Sequence, residues 1–223
     1  MTQMIDWMQQ RGVPRCDWWP GYDSTRILRA DDDGIADLVE YRWDVIAEFG
    51  FPIVTDALVD SLAIIGREMP ILDAGCGTGY LAWELQQRGV TVLPVDPEPF
   101  TFINATPKRQ WLEPVRLPAQ QVAAQHPDHA LLLSWPSLGR TWPLETLQVY
   151  TQAGGQCLIL IGEGAGGCCA TDAFYDWLHS RASPWQDVVG VPMESWVGMH
   201  DQCRIYRRMP AAIAMSFDAR STS

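Results

Sequence analysis

Long apolar runs are missing from this 223-residue chain, and no basic leader precedes one. A membrane-spanning helix and a secretory signal are therefore not expected. Productively spaced cysteine is missing too. The six cysteines, Cys16, Cys76, Cys157, Cys168, Cys169 and Cys203, include no C-x-x-C pair. The adjacent Cys168-Cys169 suits neither zinc nor a disulfide. A reducing cytoplasm is the expected compartment, and no metal is expected. Positive charge is scarce, with 16 Lys and Arg against 27 Asp and Glu, a net charge of −11 and a pI near 4.6. That balance argues against a broad grip on phosphate backbones. The one tight basic cluster, Arg204, Arg207 and Arg208, alternates with apolar residues and reads as an exposed strand face. Repeats and low-complexity segments are absent as well. What remains is a globular chain, 47% hydrophobic, with room for one domain and an extension.

The first 68 residues carry 13 acidic and 6 basic side chains, so an N-terminal extension holds most of the excess charge. Its first 50 residues read as irregular except for a helix over 35–49, which Pro52 ends. Thr55-Asp56 then caps a second helix, with Gly66 as its stop. From Pro70 onward strands and helices alternate. Strands are expected over 70–74, 90–96, 129–135 and 156–163, with a weak element over 111–117. Helices are expected over 80–88, 143–150 and 171–181. Two closing strands, 186–193 and 202–209, are too close for a crossover and read as antiparallel neighbours. Nearly all-apolar strands imply a parallel sheet covered on both faces. The fold class is thus α/β, a doubly wound, mostly parallel seven-stranded sheet with a C-terminal antiparallel hairpin and an N-terminal helical cap. The division expected is 1–66 for the helical extension or lid, 67–210 for the sheet domain and 211–223 for a tail.

The most telling stretch runs Ile71-Leu72-Asp73-Ala74-Gly75-Cys76-Gly77-Thr78-Gly79-Tyr80. It reads as strand, glycine turn and helix, the arrangement that lets backbone approach a nucleotide-like ligand. A dinucleotide fingerprint, G-x-G-x-x-G/A, would need a small residue where Tyr80 stands. D-x-G-x-G-x-G instead resembles motif I of the class I S-adenosylmethionine (SAM)-dependent methyltransferases. That resemblance covers roughly residues 70 to 209 and implies a sheet ending in a hairpin with one reversed strand. A second likeness spans Phe49-Gly50-Phe51-Pro52, Ser134-Trp135-Pro136, Gly162-Glu163, Trp196 and His200-Asp201. It points to a group of methyltransferase-like proteins and leaves the reaction open.

Ligands of open parallel sheets bind beyond the carboxyl ends of the strands. Four stretches should converge there, beginning with Asp73 and the glycine turn, Asp96-Pro97 and Ser134-Trp135. The resemblance makes Asp73, Gly75, Cys76, Gly77, Gly79, Asp96, Pro97, Ser134 and Trp135 the expected SAM-binding residues. Asp96, 21 positions after Gly75, would accept the ribose hydroxyls, and Asp73 would lie near the ammonium group. The bland alternative for each is a turn-forming Asp. An acidic or amide residue usually meets the adenine after the third strand; here Gln120 or Gln121 would have to substitute. Trp135 reads as a pocket wall or as a packed loop residue. Ser134-Trp135-Pro136-Ser137 is weakly similar to the motif of amino-methylating enzymes. Glu163, the fourth stretch, and His200 with Asp201 are the candidates for removing a proton from the acceptor. Their alternatives are a loop cap and a structural turn pair. The expected function is SAM-dependent methyl transfer to an O or N atom of a small-molecule or protein acceptor. A SAM-binding protein without transfer is the first rival. A nicotinamide-dependent oxidoreductase is the second, disfavoured by Tyr80.

Overall fold

Apolar side chains alternate between two covers along each central strand, and this period of two builds the molecule. The computed structural model describes residues 1–11, 42–98, 108–196 and 198–209. Ahead of the sheet come α1 (Gln3–Gln10), α2 (42–49 within the described residues) and α3 (Asp56–Glu68). Next follow β1 (Ile71–Ala74), α4 (Tyr80–Gln87), β2 (Val92–Val95), α5 (Ala119–Gln125) and β3 (Ala130–Ser134). The rest is α6 (Trp142–Ala153), β4 (Cys157–Gly162), α7 (Asp172–Leu178), β5 (Trp185–Val191) and β6 (Gln202–Arg208). The sheet order is β2-β1-β3-β4-β6-β5; the first four strands are mutually parallel and β6 runs against both neighbours.

Ile71, Leu132, Ile159 and Ile161 point into one cluster with Met4, Val45, Leu58, Leu62 and Leu85 from α1 to α4. Leu72, Leu131, Leu133 and Leu158 point into the other, with Val122, Leu147 and Phe174 from α5 to α7. The doubly wound, mostly parallel sheet with its closing hairpin agrees with expectation. Pro94 also sits where a residue lacking an N–H belongs, on the edge strand β2.

Six strands, and not seven, occur among the described residues. The expected element over 111–117 shrinks to a single parallel bridge, Val95 to Val115. Val115 donates to Pro94 O at 2.9 Å and accepts from Asp96 N at 3.2 Å. Pro114 and Pro118 flank it, and neither has an N–H to extend the ladder. Three helix readings also need correction. The irregular N-terminus contains α1, capped by Thr2 and held by the fully buried Met4 and Met8. Gly66 lies inside α3 and does not stop it, because a Cβ there would meet Val90 Cγ1 at 2.4 Å. Close packing of α3 on the turn before β2, not termination, requires that glycine. Finally α5 went unforeseen, its seven residues being too few to display a period. Of the helix expected over 35–49, residues 35–41 lie outside the described set, as do Cys16, Trp18, Trp19 and the 211–223 tail.

The extension is fastened to the sheet domain through α4. Glu84, 3% exposed, accepts from Tyr80 Oη at 2.5 Å, Gln3 N at 3.2 Å and Arg88 Nη1 at 2.6 Å. Tyr80 Oη in turn accepts from Met4 N, and Arg88 reaches Asp56 and Asp60 on α3 at 2.7 and 2.9 Å. Glu84→Ala leaves the buried Tyr80 hydroxyl and Gln3 N–H short of their acceptor, while Arg88 keeps Asp56, Asp60 and Glu84 O. The substitution should cost about 2–3 kcal/mol in urea unfolding. A loss below about 0.5 kcal/mol would mean the fastening is supplied elsewhere.

Candidate functional site

The turn after β1 is tied to the end of β2 by its own backbone. Gly75 N and Cys76 N donate to Val95 O at 2.7 and 3.2 Å, and Gly77 N donates to Asp96 Oδ2 at 3.0 Å. Gly75 has φ +76°, and a Cβ on it would lie 2.7 Å from Trp142 Cη2. Only glycine serves there. The turn floors a crevice of about 630 Å³ at the carboxyl ends of β1, β2 and β3. Asp73, Gly75, Cys76, Gly77, Asp96, Pro97, Ser134 and Trp135 line it, so eight of the nine expected cofactor residues come together. The ninth, Gly79, stands outside the lining as the left-handed N-cap of α4. Gln120 lines the crevice, held by Glu145 at 2.8 Å, and Gln121 does not.

Two carboxylates set the electrostatics. Asp73 is 2% exposed and its Oδ1 has no hydrogen-bond partner among the described residues. Burial raises its pKa to about 7, and the charge of Asp96 adds to the rise. Asp96 is also raised by burial, although the N–H groups of Gly77 and Glu98 and the Arg116 guanidinium pull it back. Burial and then the charges of Asp73 and Asp96 hold the Cys76 thiol far above its usual range, so it stays protonated. Of the charged side chains on the wall among the described residues, Asp73, Asp96 and Glu98 are acids and Arg140 is the single base. A crevice of this sign favours a cationic ligand and opposes a pyrophosphate.

The strap before α3 belongs to the segment expected as a lid and opens the second likeness, and it reaches the crevice. Phe49, Gly50, Phe51 and Pro52 all line the crevice, and Thr78 Oγ1 donates to Phe49 O at 2.8 Å. The signal was present in Gly50, whose φ is +103°, followed by Phe51 and Pro52. Phe51 stacks on Trp135 with centroids 4.7 Å apart and planes 14° from parallel. Trp135 holds φ +50°, a costly conformation for so bulky a residue. Neighbouring loops enforce it: Trp135 N donates to Ile161 O at 2.8 Å and Ala170 N to Pro136 O at 2.8 Å. Arg140 and Trp142, also on the wall, were not foreseen.

The three residues expected to remove a proton lie together but off the crevice wall. Glu163 spends one oxygen on Cys168 N at 2.8 Å and the other on His200 N at 3.0 Å. Burial pushes its pKa up, but these N–H groups outweigh burial and leave it below the usual range. It is therefore an ionised carboxylate with each oxygen engaged by a loop N–H. The His200 ring is 88% exposed, 3.8 Å from Glu163, and faces a second, open cavity of about 770 Å³ with Tyr175 and Arg204. Asp201 is 9% exposed, and neither of its oxygens completes a hydrogen bond among the described residues. Burial raises its pKa to about 7, and Glu163 adds to the rise, while Trp135 and Arg42 oppose it.

No family model and no curated protein matches the chain. Solved structures are similar to it in shape. Magnesium protoporphyrin IX methyltransferase from Synechocystis PCC 6803, with bound SAM, is 14% identical over 85% of this chain and 99% of that one, at a TM-score of 0.45. The Burkholderia thailandensis 1,6-didemethyltoxoflavin-N1-methyltransferase, with its acceptor and S-adenosylhomocysteine, is 16% identical over 86% and 93%, at 0.47. Human N-acetylserotonin methyltransferase in complex with SAM is 14% identical over 94% and 63%, at 0.37. The strand order β2-β1-β3-β4-β6-β5 with β6 reversed, joined to the D-x-G-x-G-x-G turn after β1, is the mostly parallel sheet with one reversed strand that the resemblance to class I methyltransferases implies.

Proposed function

We propose that the chain is a SAM-dependent methyltransferase acting on an O or N atom of a small molecule. The observation that carries this reading is the buried Asp73 carboxylate, whose Oδ1 has no partner among the described residues, on the floor of a glycine-lined crevice. A buried acid without a partner is costly unless a ligand completes it. SAM carries an ammonium group and a sulfonium, and so fits a wall with three acids. Asp73 would hold the ammonium, Asp96 the ribose hydroxyls and Gln120 the adenine edge. The backbone of Gly75, Cys76 and Gly77 would lie beneath the methionine part, with Ser134 beside it. When bound, SAM supplies a methyl carbon already activated by its sulfonium. The protein's share is alignment and exclusion of water. Phe51 and Trp135 offer a flat apolar wall for the acceptor, and Phe49 to Pro52 would act as its cover. A net charge of −11 supports a small-molecule or protein acceptor over nucleic acid.

One observation favours a second reading, a SAM-binding protein without transfer. None of His200, Glu163 and Asp201 lines the crevice, so none of the three expected bases faces the acceptor wall. The two readings separate in one experiment. Calorimetric titration with SAM and with NAD should show heat for SAM alone; the converse result would discard the proposal. Methyl-labelled SAM, incubated with fractionated small-molecule extracts, should then label a product. Tight SAM binding with no labelled product in any fraction would select the second reading. For the compartment we propose a reducing cytoplasm, which the five unpaired cysteines among the described residues support. No helix among those residues is long and apolar enough to cross a membrane.

A further inference from the structure

At the opposite end of β3 from the crevice, four consecutive residues, His126-Pro127-Asp128-His129, join α5 to the strand. We propose that His126, Asp128 and His129 form a binding site for a borderline divalent transition cation of the zinc class. Each side chain offers one ligand atom, and the three atoms lie within 4.8 Å of one another. Two are nearer still, His129 Nδ1 and Asp128 Oδ1 being 3.0 Å apart. Ligand atoms around a tetrahedral zinc ion, at about 2.0–2.1 Å from it, are about 3.4 Å apart. Closing on an ion brings donor atoms now within 4.8 Å of one another to about 3.4 Å. The two imidazoles already pack edge to face, with centroids 4.8 Å apart.

The backbone is prepared for this. His126 is the C-cap of α5, His129 N donates to His126 O at 3.2 Å, and Pro127 stiffens the turn between them. Tyr150 of α6 donates its hydroxyl to His129 O at 2.5 Å, fixing the residue whose ring must hold still. The His129 side chain is only 13% exposed, whereas Asp128 is 73% exposed, so an ion has a route in from solvent. Two imidazoles and one carboxylate make a nitrogen-rich donor set. Such a set suits zinc, cobalt, nickel or copper and is poor for calcium and magnesium, which take oxygen ligands. With three protein ligands, water completes the shell. The ion would fasten the end of α5 to the start of β3. β3 is five residues long, so the ion would lie about 16 Å or more from the crevice, and binding should be independent of SAM.

The test uses the full chain, free of any affinity tag and stripped with a chelator, titrated with Zn(II) by calorimetry. Co(II) serves as the visible-absorption probe. One equivalent should bind, and the unfolding temperature should rise with Zn(II) whether or not SAM is present. His126→Ala with His129→Ala should weaken Zn(II) at least tenfold while leaving the unfolding temperature in chelator near the parent's. If that double variant fails to fold, the exposed Asp128→Ala replaces it and should also weaken binding. Absence of stoichiometric binding in the parent overturns the proposal. Binding that survives either variant unweakened does so equally.

Discussion

Asp96→Ala should weaken SAM and S-adenosylhomocysteine by about 100-fold in calorimetric titration. The expectation rests on the carboxylate being fixed before any ligand arrives. Asp96 Oδ2 accepts from Gly77 N at 3.0 Å and Oδ1 from Glu98 N at 3.3 Å, so neither oxygen is free to swing away. A hydrogen bond to a charged acceptor contributes about 1.5–3 kcal/mol when water is displaced, and each tenfold in affinity is 1.4 kcal/mol. Two ribose hydroxyls on a preorganised carboxylate reach about 100-fold on that scale. The substitution also frees Gly77 N–H and loosens the turn, which adds to the loss. Affinity equal to the parent's would show that the sugar is held elsewhere and would remove the basis for seating SAM in this crevice.

Asp73→Asn should make the free protein more stable at pH 8 and a much poorer binder of SAM. The ordinary Asp pKa near 3.8 rises to about 7 in the fold, chiefly by burial. The folded state therefore holds this proton more tightly than the unfolded chain does. Stability from the group is fully present below about pH 4 and is lost as pH rises toward 7. Asn carries no charge to bury, so at pH 8 its unfolding temperature should exceed the parent's. Each kcal/mol released raises it by roughly 2–4 °C. A cationic ligand reverses the balance, since it stabilises the ionised carboxylate and expels the proton. The parent should accordingly release a proton on binding SAM below pH 7. Its affinity should fall by up to tenfold per unit as pH drops through 7 toward 6. Titrations in buffers of different ionisation heat measure that proton directly. Asp201, also raised to about 7, adds its own pH dependence of stability, so the Asn variant should abolish only part of the stability slope. The dependence of SAM affinity belongs to Asp73, and its persistence in Asp73→Asn would refute the assignment.

The class of fold and most of the crevice floor were legible in the chain because they are local. A glycine turn and the strand feeding it are set by neighbours in sequence, where steric rules act directly. Hence Asp73, Gly75, Cys76 and Gly77 appear together, and Asp96 and Ser134 follow from the rule that ligands meet strand ends. Element boundaries and isolated bridges were less legible. Gly66 reads as a stop only when Val90, 24 residues later, is out of view, and Val115 pairs with a single residue because prolines flank it.

Tertiary structure alone decided what faces the crevice from far along the chain. Glu163 and His200 have the residue types of a base and its partner, and only the fold shows what surrounds each of them. One carboxylate is consumed by two N–H groups, and one ring points to solvent. Phe51 had no assigned partner until the strap before α3 laid it flat on Trp135. Composition and spacing determined a glycine-turned, doubly wound sheet, since backbone sterics and apolar periodicity act within a few residues. Which acids are left buried and unpaired depends on desolvation by side chains dozens of positions away, and only the folded chain holds that information.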